Sequence, residues 1–222
     1  RVPERTTAAL VGLSGSGKTT ITNLTVRFWD IEQGAIDIGG KAVKTLSYGN
    51  LLKNVSCVFQ DVFLFNDTVL NNIRLGRPEA ALDEVYEASR KAGCHDFILA
   101  LEKGYDTVIG EAGSRLSGGE KQRIAIARAL IKDAPIVLLD EVTANVDVEN
   151  ELMIQRAIQK LLSDKTVIMI AHKLATIQNV DQILVIEAGR IRQRGSHDDL
   201  IRQDGLYKKL WEIQYQAEKW KV

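Results

Sequence analysis

Lys18 and Thr19 close the run Gly12-Leu13-Ser14-Gly15-Ser16-Gly17-Lys18-Thr19, which fits the spacing GxxxxGK[ST] at every fixed position. Glycines without a Cβ let successive backbone amides turn inward, and the positive end of a following helix points at the same spot. A lysine there supplies a compact point charge, and the adjacent hydroxyl an oxygen ligand for a hard cation. The chemistry that suits this arrangement is the binding of a nucleoside triphosphate with Mg²⁺. Contacts to the phosphates are expected from Gly12, Ser14, Gly15, Ser16, Gly17, Lys18, Thr19 and Thr20. A second reactive pair, Asp140 and Glu141, directly follows the apolar run Ile136-Val137-Leu138-Leu139. Beside a phosphate loop, Asp140 can hold Mg²⁺ through water, with Thr19 in the same shell, while Glu141 can polarise an attacking water.

A third group is Leu116-Ser117-Gly118-Gly119-Glu120-Lys121-Gln122-Arg123. Ser117 and Glu120 form an S-x-x-E capping box for a helix running to about Lys132. Two glycines directly after the cap each cost about 1 kcal/mol of helix propensity against alanine. Capping does not require them. Bare amides at a helix start make sense where an anion must approach closely.

These groups need elements to hold them. Three short apolar runs, Ala8–Val11, Ile136–Leu139 and Val167–Ala171, are continuous rather than alternating, as buried parallel strands are. Helical patterns follow each: Thr20–Phe28, Val148–Leu162 and about Ala175–Asn179. In the second, Val148, Leu152, Ile158, Leu161 and Leu162 make a stripe expected to pack on a sheet. The alternation predicts an α/β fold with a parallel core. Antiparallel pieces are expected at Ala35–Ile38 before the Gly39-Gly40 turn, and at Gln182–Glu187 and Arg190–Arg194 around Ala188-Gly189. Residues 61–132 read as an inserted helical subdomain, in which Leu82, Val85, Ala88 and Ala92 share a face that Gly93 ends. Residues 1–60 and 133–222 then form the core. The last helical stripe, Leu206, Leu210, Ile213, Ala217 and Trp220, predicts a helix docked on the domain.

Composition narrows the class. The 222 residues can bury a large core, and 29 basic residues balance 29 acidic ones. No basic excess or stripe points to nucleic acid. Cys57 and Cys94, the only cysteines, lack metal-ligand spacing and read as small buried apolar residues. No apolar run approaches the roughly 20 residues of a membrane helix, so the chain reads as soluble.

Together the motifs carry a resemblance. The Leu116–Glu120 stretch (LSGGE) resembles the signature of ABC (ATP-binding cassette) ATPases, and the chain order also matches: phosphate loop, Gln60, signature, Asp140-Glu141, Asp147, His172. The chain resembles the nucleotide-binding domain of an exporter-type ABC transporter, with a P-loop (RecA-like) core. Supporting stretches are Gln60–Phe65, Gly104–Thr107 with Gly110–Gly113, and Ala171–Thr176. The resemblance implies that Gln60 reaches Mg²⁺ and the attacking water, although alone a strand-end glutamine is a surface residue. It also implies that His172 senses the γ-phosphate, whereas His95 and His197 keep structural readings, the latter beside an ordinary Ser196/Asp199 cap. Asp147 resembles the D-loop aspartate and could equally cap the next helix.

The resemblance further implies ATP as substrate, hydrolysed with Mg²⁺ at a site completed by a second copy. Ser117, Gly118 and Gly119 of that copy, with Glu120 beside them, would meet the γ-phosphate in a head-to-tail dimer. A membrane domain is expected in the same full-length polypeptide, before Arg1, which places this domain on the cytoplasmic face of a membrane. Phe63–Phe65 and Thr107–Gly113 correspond to segments near membrane-domain coupling helices. The presence of both Glu141 and His172 argues for a hydrolysing site. An importer subunit is the nearer alternative, and a DNA-repair or chromosome ATPase a more distant one, lacking here its coiled-coil insertion. A small-molecule kinase would leave the signature unexplained. Three departures stand out. No aromatic precedes Phe28 to stack on adenine, so weakened nucleotide binding is expected. Thr143–Asp147 reads Thr-Ala-Asn-Val-Asp where Ser-Ala-Leu is common before the aspartate. Glu120 and Lys173 replace the usual Gln and Arg.

Overall fold

The fold is described from a computed structural model. It describes residues 1–140, 142, 148–171 and 173–219, the side chains of 148, 149 and 217–219 excepted. In chain order the elements are β1 (Thr7–Val11), α1 (Lys18–Thr25), β2 (Asp37–Ile38), β3 (Lys41–Ala42), α2 (Tyr48–Asn54) and β4 (Val55–Val58). Then come α3 (Val69–Arg74), α4 (Leu82–Lys91), α5 (His95–Leu99), α6 (Gly118–Lys132), β5 (Ile136–Asp140) and α7 (Val148–Leu162). The chain closes with β6 (Thr166–Ile170), β7 (Gln182–Glu187), β8 (Arg190–Gly195), α8 (His197–Arg202) and α9 (Leu206–Lys219). The described residues form two compact units: those within 1–55, 138–140 and 165–219 in the first; those within 56–137, 142 and 148–164 in the second.

The first unit is built on β1. This strand pairs in parallel with β6 on one side (Leu10 opposite Ile170) and β7 on the other (Leu10 opposite Leu184). β8 returns antiparallel to β7 across Ala188 and Gly189, both with positive φ as a tight hairpin turn requires. Alternate residues of β1 and β7 feed two separate apolar clusters. Ala9, Val11, Ile183 and Val185 pack with Leu174, Ile177, Leu200 and Tyr207. Leu10, Leu184 and Ile186 pack with Ile170 and with Ile21 of α1. A strand covered on both faces has no polar positions to spare, which is why these runs read as continuous Val, Ile and Leu. The expected α/β arrangement with a parallel core and antiparallel pieces is present, and β2–β3 forms the small expected hairpin.

Two helical stripes come out rotated from expectation. In α9 the docked face is Tyr207, Leu210 and Trp211 with Leu206, and Gln214 accepts a 2.8 Å bond from the Leu174 amide. Ile213, expected on that face, is 63% exposed, because positions 207, 210, 211 and 214 already complete one helical face. Ala217's side chain and Trp220 lie outside the described residues. In α7 the buried residues are Ile154, Ala157 and Leu161, while Leu152 is exposed. The third predicted helix is a short 3-10 turn, Leu174–Ile177.

The second unit is helical around α6. Val85, Ala88 and Ala92 of the α4 segment are buried as expected, with Leu82 largely exposed, and Gly93 follows at φ 69. No helix among the described residues is long and apolar enough to cross a membrane.

Candidate functional site

The phosphate loop leaves the C-terminal end of β1, the strand flanked on both sides in the first unit, and feeds directly into α1. Strand carboxyl ends next to helix starts are where parallel α/β sheets bind ligands. Three contacts hold the loop shut. A Cβ on Gly12 would collide with the carbonyl oxygen of Ile186 on β7, so only glycine permits this approach. The Gly189 amide, in the β7–β8 turn, donates to the Ser16 carbonyl at 3.0 Å, and Ser16 N donates to Leu13 O at 3.2 Å. Gly15 and Gly17 take φ of 75° and 102°, the left-handed region that side chains resist.

Lys18 is the group the loop closes upon. Its side chain is 6% exposed, and Nζ donates to the carbonyls of Gly12 (2.9 Å) and Leu13 (3.0 Å), with Ser16 Oγ at 3.5 Å. These carbonyls fix the position of the ammonium. It sits beside the first-turn amides of α1, which have no intrahelical acceptor. An anion is the natural complement. Thr19, Thr20, Ser14 and Gly15 are exposed around it and Ser16 is buried. Asp140 is buried at the end of β5. Thr19 and Asp140 offer hard oxygen donors, which fit Mg²⁺ with its retained waters. Among the described residues no group of three or more His, Cys, Asp or Glu forms a protein-only metal cage, and a water-rich Mg²⁺ site needs none. Glu141, Asp147 and His172 lie outside the described residues.

In the second unit the signature forms the start of α6. Ser117 Oγ accepts from Glu120 N at 3.3 Å, and Glu120 Oε2 accepts from Ser117 N at 2.7 Å. The capping box and the end at Lys132 are as expected. Because the Ser117 hydroxyl acts as acceptor in the cap, its own proton stays available to a further partner. The two glycines differ. Gly118 is exposed, and a Cβ there would meet nothing within 4 Å; a Cβ on Gly119 would meet Asn150 Cγ of α7 at 2.8 Å. Close helix packing therefore suffices to explain Gly119, and only Gly118 keeps bareness without an internal reason.

Gln60 follows β4 and is exposed. The next residues split: Leu64 is fully buried, whereas Phe63 and Phe65 are 62% and 52% exposed, stacked edge to face with centroids 5.0 Å apart. Segment 104–113 is tied to this region through Val69 N to Thr107 O (3.1 Å) and Ile109 N to Asp67 O (3.2 Å). Leu64 also lies within 3.1 Å of a Cβ placed on Gly113. The two remaining histidines are structural: His95 Nδ1 lies 2.9 Å from Tyr105 Oη and His197 Nδ1 2.8 Å from Tyr207 Oη. Ser196 and Asp199 cap α8 as expected.

Several residues escaped sequence reasoning. Gly189 braces the phosphate loop through the β1–β7 pairing, a non-local contact that no spacing rule reveals. Gln122 and Arg128 of α6 reach back toward Gln60: Gln122 Nε2 donates to Phe59 O at 3.3 Å and Arg128 to Phe63 O at 3.2 Å.

Comparison with known proteins accords with this geometry. An ABC transporter family profile matches residues 1–144. The ATP-dependent lipid A-core flippase of Haemophilus influenzae (strain 86-028NP) is 49% identical over 215 residues, 96% of this chain and 37% of that protein. ATP-binding cassette sub-family B member 6 of Mus musculus is 47% identical over 213 residues, again 96% of this chain but 25% of the relative. Among solved structures, a bacterial Atm1-family ABC exporter with ATP bound superposes with a TM-score of 0.90 at 46% identity, covering 96% of this chain and 37% of that one. The chain thus spans little more than a third of the flippase it matches. With the phosphate loop, the capped glycine tip and nearly the whole length matched, the chain belongs to the ABC transporter family.

Proposed function

We propose that this chain is the ATP-hydrolysing domain of an exporter, working as a head-to-tail pair in which each ATP lies between the phosphate loop of one copy and the signature tip of the other. The observation that carries the reading is Lys18, a buried ammonium held by loop carbonyls at the start of α1. Lys18 and the loop amides bind the β- and γ-phosphates; Thr19, Asp140 and Gln60 hold Mg²⁺. Bound there, Mg²⁺ would neutralise charge on the β- and γ-phosphate oxygens. Glu141 takes the proton of the attacking water as its oxygen joins the γ-phosphorus and the bond to ADP breaks. His172 senses the γ-phosphate, and Asp147 serves as the D-loop aspartate in binding the nucleotide. The partner copy's Ser117 hydroxyl and its Gly118 and Gly119 amides complete the cradle, with Glu120 fixing Ser117 through the cap. Such positioning and charge neutralisation are most of what phosphoryl transfer to water needs.

Functionally, residues 1–60 and 133–222 act as the RecA-like ATP-binding core and 61–132 as the signature-bearing subdomain. The longer relatives support a membrane domain in the same polypeptide, which would hold this domain at the cytoplasmic face. Exposed Phe63 and Phe65 are the surface we assign to contact with that domain. Replacing Glu141 by Gln should leave ATP binding intact, slow hydrolysis by about 10²–10⁴-fold and accumulate an ATP-held dimer. Turnover at the wild-type rate by that variant would remove Glu141 from the role of base.

A further inference from the structure

Helix α6 carries more than the signature at its tip. Gln122 and Arg128 lie six residues apart on it, about 9 Å along the axis, and both donate into the segment that carries Gln60. Gln122, 4% exposed, donates to the carbonyl of Phe59, the residue before Gln60. Arg128 donates from Nη1 to the Phe63 carbonyl at 3.2 Å, from Nε to the Asn72 carbonyl at 2.9 Å and from Nη2 to Asn72 Oδ1 at 3.2 Å. Fully buried Asn72 extends the hold. Its Oδ1 accepts from Phe65 N at 2.9 Å, and its Nδ2 donates to the carbonyls of Phe65 and Thr68, both at 3.0 Å. Gln60, Asp61 and Val62 therefore span a gap whose two ends are both fastened to one helix. The buried Gln122 amide and the half-buried Arg128 guanidinium lose several contacts if these carbonyls move, which makes the fastening stiff.

We propose that Gln122 and Arg128 are positioning residues that bracket Gln60, so that Gln60 and the signature tip of the same copy are held as one rigid piece. Displacing either shifts the Gln60 side chain relative to the tip without touching nucleotide. The consequence is mechanical: anything that moves Phe63–Phe65 moves Ser117 and Gly118 with it. The inference rests on the proposed role of Gln60 and deepens it.

The test combines amide exchange with a double-mutant cycle in the protein containing this domain. The Phe65 amide, which donates to Asn72 Oδ1, should exchange slowly in the wild type and about tenfold faster once Arg128 no longer holds Asn72, while Gln122→Leu, an isosteric change without the donor, releases the other end of the bracket. Misplacement by a fraction of an ångström should lower kcat about tenfold while KM for ATP stays within about twofold. In a Gln60→Ala background the same substitution should change kcat by less than about twofold, because the group it positions is already gone. Arg128→Lys, which keeps the charge but loses the planar fork, should follow the same pattern and serves if Gln122→Leu unfolds. Rapid exchange of the Phe65 amide in the wild type, or a kcat loss that multiplies undiminished onto Gln60→Ala, overturns the bracket. Full activity of Gln60→Ala alone, with slow wild-type exchange retained, overturns instead the role of Gln60.

Discussion

The phosphate loop and the signature tip are both glycine-rich helix starts, yet they are built on opposite plans. The loop is closed from within: the Gly189 amide braces it, Ile186 presses on Gly12, and Lys18 is gripped by its own carbonyls. The tip is capped from within by Ser117 and Glu120 but leaves Gly118 facing open space. A self-contained site can bind a phosphate group unaided. An open tip is suited to receive one that another surface presents. The contrast is what a site shared between two copies, as proposed, would require.

Substitutions should therefore divide cleanly between binding and turnover. Gly118→Asp places a carboxylate where a γ-phosphate would approach. It should lower ATP hydrolysis by at least about 10²-fold while changing nucleotide affinity of the separate domain by less than about twofold, as read by equilibrium titration. Lys18→Ala should do the reverse and weaken ATP binding itself by about 10–100-fold, the loss of one charge-assisted contact of roughly 1.5–3 kcal/mol. Equal effects of the two on affinity would erase the distinction. Stability should separate the same positions. Gly12→Ala drives a Cβ into the Ile186 carbonyl and should cost about 1–3 kcal/mol in denaturant unfolding. Gly119→Ala should also destabilise, through Asn150. Gly118→Ala has room for its methyl and should stabilise by about 0.5–1 kcal/mol, the ordinary helix preference for alanine.

Much of this was legible in the residues. The phosphate loop, the capping box, the extent of α6 and the β7–β8 turn follow from local rules, because each is made by residues a few positions apart. The stripes of α7 and α9 came out rotated, since a half-apolar helix such as Leu206–Lys219 offers two nearly equivalent faces. Only the partner decides, and here Tyr207 and Trp211 fit the cluster around Leu174 and Val185. Gly189, Gln122 and Arg128 were illegible for a related reason: their carbonyl partners lie in segments distant in sequence, and main-chain acceptors leave no mark on composition. The double role of the signature glycines shows the same limit. Two adjacent glycines look alike until Asn150 is found against one of them.

The smallest effect concerns the thiols. Burial pushes Cys57 up to about 11, with Lys132 pulling slightly the other way, and Cys94 up to about 12. Both stay protonated in the fold, so alkylation at pH 8 should be slow for each until the protein is unfolded. As pH rises above the ordinary thiol value of 9.0, the unfolded chain ionises first. Stability from these two groups is thus complete below pH 9 and lost progressively toward pH 11–12. Cys94 is buried and Cys57 half-buried, and a denaturation midpoint that rose over that interval would contradict desolvation as the cause of both shifts.

Mixed dimers offer the most direct test of a triphosphate shared between copies. Glu141→Gln is introduced throughout to stop turnover; one copy also carries Lys18→Ala and the other Gly118→Asp. If loop and tip of one site come from different copies, the mixed dimer keeps one intact pair, and retained radiolabelled ATP should be a single molecule per dimer, with little retained by either homodimer. Retention by the Gly118→Asp homodimer equal to that of Glu141→Gln alone, or none by the mixed dimer, would contradict a shared site.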